Sequence, residues 1–179
     1  MSRFARWASA EHSEGARILA LIPAALVLLV FLPFVIVVVC PKLDSRLHLN
    51  VFGAGPTTLS VGGILVVAGM TFGLWSNYVQ FTRGRGTPLP VMPTQELLTS
   101  GPYRYCRNPM TLGTILAYLG VSIAAATVTG TAFVLAIAGL LVLYLKRVEE
   151  KELEERFGED YLTYIREVPF IIPRISRGR

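Results

Sequence analysis

The chain has 179 residues, of which 53% are hydrophobic and 16% charged, and its net charge is +5. Soluble domains carry about 25% charged residues, and here the apolar residues come in long blocks, which excludes an ordinary soluble globule and points to one domain in a bilayer. The excess charge is arginine and lysine grouped at the ends of those blocks, a topology and headgroup signal that needs no nucleic acid to explain it.

Residues 1–15 mix Arg3, Arg6, Glu11 and Glu14 with Phe4 and Trp7 and fit a short interfacial segment. The first apolar block, 18–40, is too long for a signal-peptide core of about 7 to 15 residues and lacks a small-x-small cleavage site. It reads as a retained span, kinked at Pro23 and Pro33. Residues 42–58 are an outer connection to which no chemistry is assigned. The second span, 59–81, carries Gly62, Gly63, Gly69 and Gly73, and the spacing of Gly69 and Gly73 suits close helix approach.

A basic, glycine-rich segment follows, Arg83-Gly84-Arg85-Gly86-Thr87-Pro88-Leu89-Pro90, which matches neither a Walker A loop nor a dinucleotide fingerprint. Next comes Gly101-Pro102-Tyr103-Arg104-Tyr105-Cys106-Arg107-Asn108-Pro109-Met110-Thr111. Asn108 is a preferred N-cap residue and Pro109 suits a first helical turn, so a helix is expected to begin here. Its free N–H groups can bind a carboxylate or phosphate. The third span, 110–128, contains Gly113 and Gly120. An uncharged turn at 127–131 joins it to the fourth, 131–147, as a tight helical hairpin. Beyond Arg147, Leu153, Phe157, Tyr161 and Ile165 recur every four residues, and Gly158 divides the stretch, so two short amphipathic helices are expected. The fold class is therefore all-α and integral to the membrane, one domain over 1–179 with about four spans.

Basic residues number three before the first span, four in the loop 82–109 and eight from Lys146 onward, against two, Lys42 and Arg46, between the first two spans. The positive-inside rule then puts both termini and the long loop in the cytoplasm. Cys40 and Cys106 fall at opposite faces and are not expected to pair. His12 and His48 are isolated loop residues on opposite sides, so no metal site is expected. With no titratable residue in any span from 59 to 145, a proton relay is disfavoured.

Three polar or basic pieces, at 83–90, 101–111 and 147–174, thus meet on one face of the four helices. Taken in order, Gly84-x-Gly86-Thr87-Pro88-x-Pro90, Ser100-Gly101-Pro102-Tyr103-Arg104-Tyr105-x-Arg107-Asn108-Pro109-Met110, Glu149-Glu150-x-x-Leu153, and Phe157-Gly158-Glu159-Asp160-Tyr161-Leu162-x-Tyr164 before Val168-Pro169 resemble the isoprenylcysteine carboxyl methyltransferase and phospholipid methyltransferase superfamily. The resemblance covers residues 60–174. Asn108 stands where the family often has His, and Thr111 where Tyr is usual.

The resemblance implies a membrane enzyme that uses S-adenosyl-L-methionine, with a lipidic or prenylated acceptor entering from the bilayer. It implies a cofactor site at Tyr103, Tyr105, Asn108, Pro109, Met110, Glu149, Glu150 and Leu153. The helix start at Asn108 suits the methionyl carboxylate, Glu150 or Glu149 the ammonium, and Tyr103, Tyr105 and Leu153 the adenosine. A carboxylate acceptor is already ionised and needs a cation to hold it, for which Arg104, Arg107 and Arg166 are candidates. An amine acceptor such as phosphatidylethanolamine must lose a proton, which Glu149, Glu150 or Tyr161 can take. Carboxyl O-methylation ranks first and headgroup N-methylation second. A membrane reductase and a non-enzymatic scaffold are the remoter readings. The small size points to a prokaryotic cell membrane, with the endoplasmic reticulum as the alternative.

Overall fold

The computed structural model describes residues 22–23, 25–49, 53–84 and 96–174. The interfacial segment expected at 1–15 and most of the basic loop at 83–90 lie outside the described residues. What is described is helical, without strands: α1 (Val27–Arg46), α2 (Pro56–Arg83), α3 (Pro109–Ala124), α4 (Val128–Phe157) and α5 (Glu159–Glu167), with a 3₁₀ turn at Gly101–Arg104. Three of these, α1, α2 and α4, are long and apolar enough to cross a membrane, and α3 is a shorter apolar helix. Ile64, Val67 and Leu140 are 69%, 67% and 68% exposed on the bundle's outer faces, a surface only lipid would cover favourably.

The bundle is held by backbone contact between α2 and α3, which run antiparallel. A Cβ added at Gly69 would lie 2.5 Å from the Gly113 carbonyl oxygen, and one at Gly62 would lie 2.5 Å from that of Gly120. Gly62 and Gly69 are about two turns apart, as are Gly113 and Gly120, so each pair falls on one face of its helix. Gly73 plays a different part from the one its spacing suggests. A Cβ there would find only ordinary contact, 3.9 Å from the Gly113 Cα, whereas a Cβ at Gly113 would meet the Gly73 nitrogen at 2.6 Å. Gly63 faces open space.

α1 runs on past Cys40 to Arg46, into the stretch expected to be an outer connection. The reason is Asp44. Its carboxylate is buried and accepts hydrogen bonds from Thr127 Oγ1 at 2.5 Å and from the backbone N–H groups of Val128 at 3.0 Å and Thr129 at 2.9 Å. Asp44 therefore caps the first turn of α4 from another helix. The turn that reads as uncharged thus holds a carboxylate, which satisfies N–H groups otherwise left unpaired at the helix start.

Two stretches of α1 are π-helical, Val27–Phe31 and Val35–Val39, and each comes shortly before a proline, Pro33 or Pro41. A proline ring crowds the carbonyl four residues back and donates no hydrogen bond, so the turn opens. The amides of Leu32 and Cys40 accordingly reach back five residues, to the carbonyls of Val27 and Val35. A third π-helical stretch, Leu145–Glu149, lies inside α4. One extra residue in a turn rotates all later positions by roughly 100°. The expected pair of short amphipathic helices is present, but its first member, Glu150–Phe157, is the continuation of α4.

Two substitutions test this packing. Gly69→Ala and Gly113→Ala should each prevent α2 and α3 from closing, seen as loss of monodisperse protein in detergent, while Gly63→Ala should leave the melting temperature unchanged. Asp44→Ala leaves buried N–H groups unpaired and should cost about 2 kcal/mol, read as a lowered thermal unfolding midpoint.

Candidate functional site

At the end of the bundle away from Asp44, a cavity of about 310 Å³ opens between α3, α4 and α5. α3 has 16 residues and is about 24 Å long, some 6 Å short of a bilayer core of about 30 Å. Its first turn therefore lies recessed relative to the longer helices, and the cavity occupies the recess.

The turn that leads into α3 is fixed before the helix begins. Gly101 has a φ of +64°, and a Cβ there would lie 3.2 Å from Val79 Cγ2 on α2, so this tight reversal favours glycine twice over. The reversal brings Tyr103 back to α2, where its hydroxyl donates to Gln80 Oε1 at 3.3 Å. Tyr164 of α5 then donates its hydroxyl to the Tyr103 carbonyl at 2.6 Å. Cys106 is fully buried at the base of the turn, and burial pushes its thiol up to about 11.

The segment after α5 straps this region down. Arg107 N–H donates to the Pro169 carbonyl at 2.9 Å, Asn108 N–H to that of Phe170 at 3.1 Å, and Arg174 N–H to that of Tyr105 at 3.0 Å. Asn108 is the residue before the helix, as its sequence suggests, but its side chain makes no cap. The strap diverts it: Asn108 Nδ2 donates to the Phe170 carbonyl at 3.0 Å. The early N–H groups of α3 thus lack a side-chain acceptor from Asn108, at the wall of a cavity lined by Pro109, Met110 and Thr111.

Tyr103, Arg107, Asn108, Pro109, Met110, Glu149, Glu150 and Leu153 all line the cavity. Tyr105, Arg104 and Arg166 do not. Tyr105 tilts against Trp75 on α2 with ring centroids 6.4 Å apart, and the exposed Arg104 lies 4.6 Å over the Tyr105 ring. Arg166 is exposed near the end of α5. Lining residues without a motif signal include Gln80, Thr114 and Tyr144. Gln80, a polar residue near the end of an apolar span, carries the one local cue.

The charges are unevenly committed. Arg107 is paired with Glu150 through Nη1, while its buried Nε has no hydrogen-bond partner. Glu149, half-buried beside that pair, has no ion pair among the described residues. The phenols stay protonated. Burial raises Tyr103, Tyr164 and Tyr161, the last to about 12, where Glu150 adds to the shift and Arg107 opposes it. None of them is a base at neutral pH. The cavity thus offers the N–H donors at the start of α3 for an anion, an unpaired carboxylate for a cation, and aromatic and aliphatic walls. An amino-acid end attached to a flat ring system fits that set.

The family model described as phospholipid methyltransferase matches residues 57–160. A methanethiol S-methyltransferase of Crocosphaera subtropica is 30% identical over 128 residues, 72% of this chain and 47% of that one. Methanethiol S-methyltransferase 2 of Bradyrhizobium diazoefficiens is 34% identical over 108 residues, 60% of this chain and 38% of its own length. A cobalt-zinc-cadmium resistance protein of Cupriavidus metallidurans is 32% identical over 83 residues, covering 46% and 38%. The chain thus spans about half or less of the length of these relatives. No solved structure matches it. The matched stretch runs from the start of α2 to the start of α5 and takes in most of the cavity wall, and the chain belongs to the phospholipid methyltransferase family.

Proposed function

We infer that this protein is an S-adenosylmethionine-dependent methyltransferase of the membrane, with its cofactor in the 310 Å³ cavity facing the cytoplasm. The observation that carries this is the unpaired Glu149 sharing a wall with the N–H groups at the start of α3, which the Asn108 side chain leaves uncapped. Those donors would hold the methionyl carboxylate, Glu149 its ammonium, and Tyr103 and Leu153 the adenosine. Bound there, S-adenosylmethionine supplies a methyl group on a positively charged sulfur, open to in-line attack. The chain's own contribution is to align the acceptor and exclude water, and such positioning is worth about 7 to 11 kcal/mol.

For the acceptor, the cavity favours a small group that enters neutral and ionises only at the site, best a thiol. Carboxyl O-methylation calls for a free cation, but Arg107 is the one basic side chain among the described lining residues and it is paired with Glu150. Arg104 and Arg166 lie off the cavity. Two relatives are named methanethiol S-methyltransferases, which supports the thiol reading. The family's description keeps headgroup N-methylation as the second reading.

Titration of the detergent-purified protein with S-adenosylmethionine and S-adenosylhomocysteine should show saturable binding, and Glu149→Gln should weaken it about tenfold or more, as loss of a charged hydrogen bond does. Absence of binding to both would remove the cofactor reading. Labelled-methyl transfer should go to methanethiol in preference to phosphatidylethanolamine or a prenylcysteine.

The pH profile gives a further test. With the phenols protonated throughout the working range, the acceptor thiol gives its proton to water, and the rate should rise with pH as the thiol ionises, toward a pKa that for a simple alkanethiol lies above that of cysteine. Tyr161→Phe should keep that inflection. A shifted inflection in Tyr161→Phe would make the phenol the base after all.

A further inference from the structure

Beside the main cavity lies a second, smaller one of about 90 Å³, between α1, α3 and α4. Leu28, Thr114 and Leu141 line both, so the two spaces meet at those three side chains. Beyond that junction the small chamber is walled by apolar groups, Ile36, Ile115 and Ala138 among them. Its depth lies within the span region, away from the charges of the larger cavity.

The wall supplied by α1 is pinned. In the π-helical stretch Val27–Phe31, amides reach back five residues, and the residue five beyond Leu28 is Pro33, which has no N–H to give. The Leu28 carbonyl is therefore left without its backbone donor. The Tyr118 hydroxyl on α3 supplies one. A carbonyl left without a donor in hydrocarbon is strongly disfavoured, so this bond fixes how far α1 stands from α3 and thereby the width of the chamber.

We propose that this chamber receives the apolar substituent of the methyl acceptor and caps its length at about three or four carbon atoms. The size follows from 90 Å³ set against the roughly 150 Å³ of an apolar cavity that holds the six carbons of benzene, which leaves room for about three or four. The proposal rests on the small-acceptor reading above and narrows it to short-chain thiols, excluding a prenyl or acyl chain from this chamber. Leu28, Thr114 and Leu141 form the collar through which the substituent passes while its sulfur stays in the larger cavity. Each methylene buried in the chamber should raise affinity roughly fourfold until the space is filled.

The test uses the full chain in detergent with the straight-chain thiols from methanethiol to hexanethiol. At saturating S-adenosylmethionine, kcat/KM should climb to propanethiol or butanethiol and then fall. Ala138→Leu, which fills the chamber, should lower kcat/KM for propanethiol at least tenfold while sparing methanethiol and S-adenosylhomocysteine affinity. Propanethiol binding, measured without any adenosyl compound, should weaken in the same variant. A kcat/KM that keeps rising through hexanethiol, or an Ala138→Leu effect equal for every thiol, would overturn the chamber's role. If no thiol is methylated by protein that binds S-adenosylhomocysteine, the proposal falls together with the thiol reading. If no adenosyl compound binds but propanethiol binding still depends on Ala138, the chamber stands and the cofactor reading falls.

Discussion

Every other placement in this protein depends on the touching backbones of α2 and α3. Gly62 and Gly69 meet Gly120 and Gly113 with no room for a single added carbon, so the pair has one register and almost no freedom to slide. In a bilayer this kind of contact matters more than side-chain hydrophobicity, because lipid tails are as apolar as leucine and close packing supplies the preference for helix over lipid. The fixed register sets the depth of the first turn of α3. It also sets which residues of α2, Val79 and Gln80, meet the turn at Gly101 and Tyr103.

From that anchored turn the site is built by pieces distant in sequence. The strap after α5 pairs with Arg107 and Asn108 through Pro169 and Phe170, and α4 contributes Glu149 and Glu150 after its π-helical turn. The Arg107–Glu150 pair joins the α3 side to the α4 side. A partly buried ion pair of this kind is weak evidence for stability, since desolvation offsets much of the attraction. Its better-grounded effect is on register: it holds one of two adjacent carboxylates and leaves Glu149 the unpaired one. Asp44 does comparable work at the opposite end, binding α1 to the start of α4.

Much of this was legible in the sequence, because the signals were local. Apolar blocks, glycine spacing and the Asn108-Pro109 helix start each rest on a few neighbouring residues, and of the motif residues Tyr103, Arg107 to Met110, Glu149, Glu150 and Leu153 gather at one cavity, while Tyr105 packs outside it. What could not be read needed a partner far along the chain. Asn108 has the right side chain for a cap, and only the presence of the Phe170 carbonyl explains why the amide turns elsewhere. Asp44 looked like a loop carboxylate because its partners, Thr127 to Thr129, follow more than eighty residues later. Charge type alone likewise could not separate Arg107, inside the cavity, from Arg104 and Arg166 outside it. Gly73 was grouped with Gly69 by spacing, yet Gly62 is the residue that shares its face contact with α3.

The breaks in helical regularity fall where the cavities are, and the two have a common physical origin. A π-helical turn widens the helix locally and leaves its neighbours less closely packed, so space opens beside it. In α1 the opening is forced by Pro33, and the Leu28 carbonyl that it orphans is met by Tyr118 from α3. In α4 no proline is present, and the π-helical stretch Leu145–Glu149 comes at the point where the apolar span gives way to charged residues. An undisturbed helix would carry Glu149, Glu150 and Leu153 round by a different angle relative to Leu141 and Leu145. With the extra residue, all five line the same space. The irregular turn is thus what lets one helix present a lipid-compatible wall and a charged wall to a single cavity.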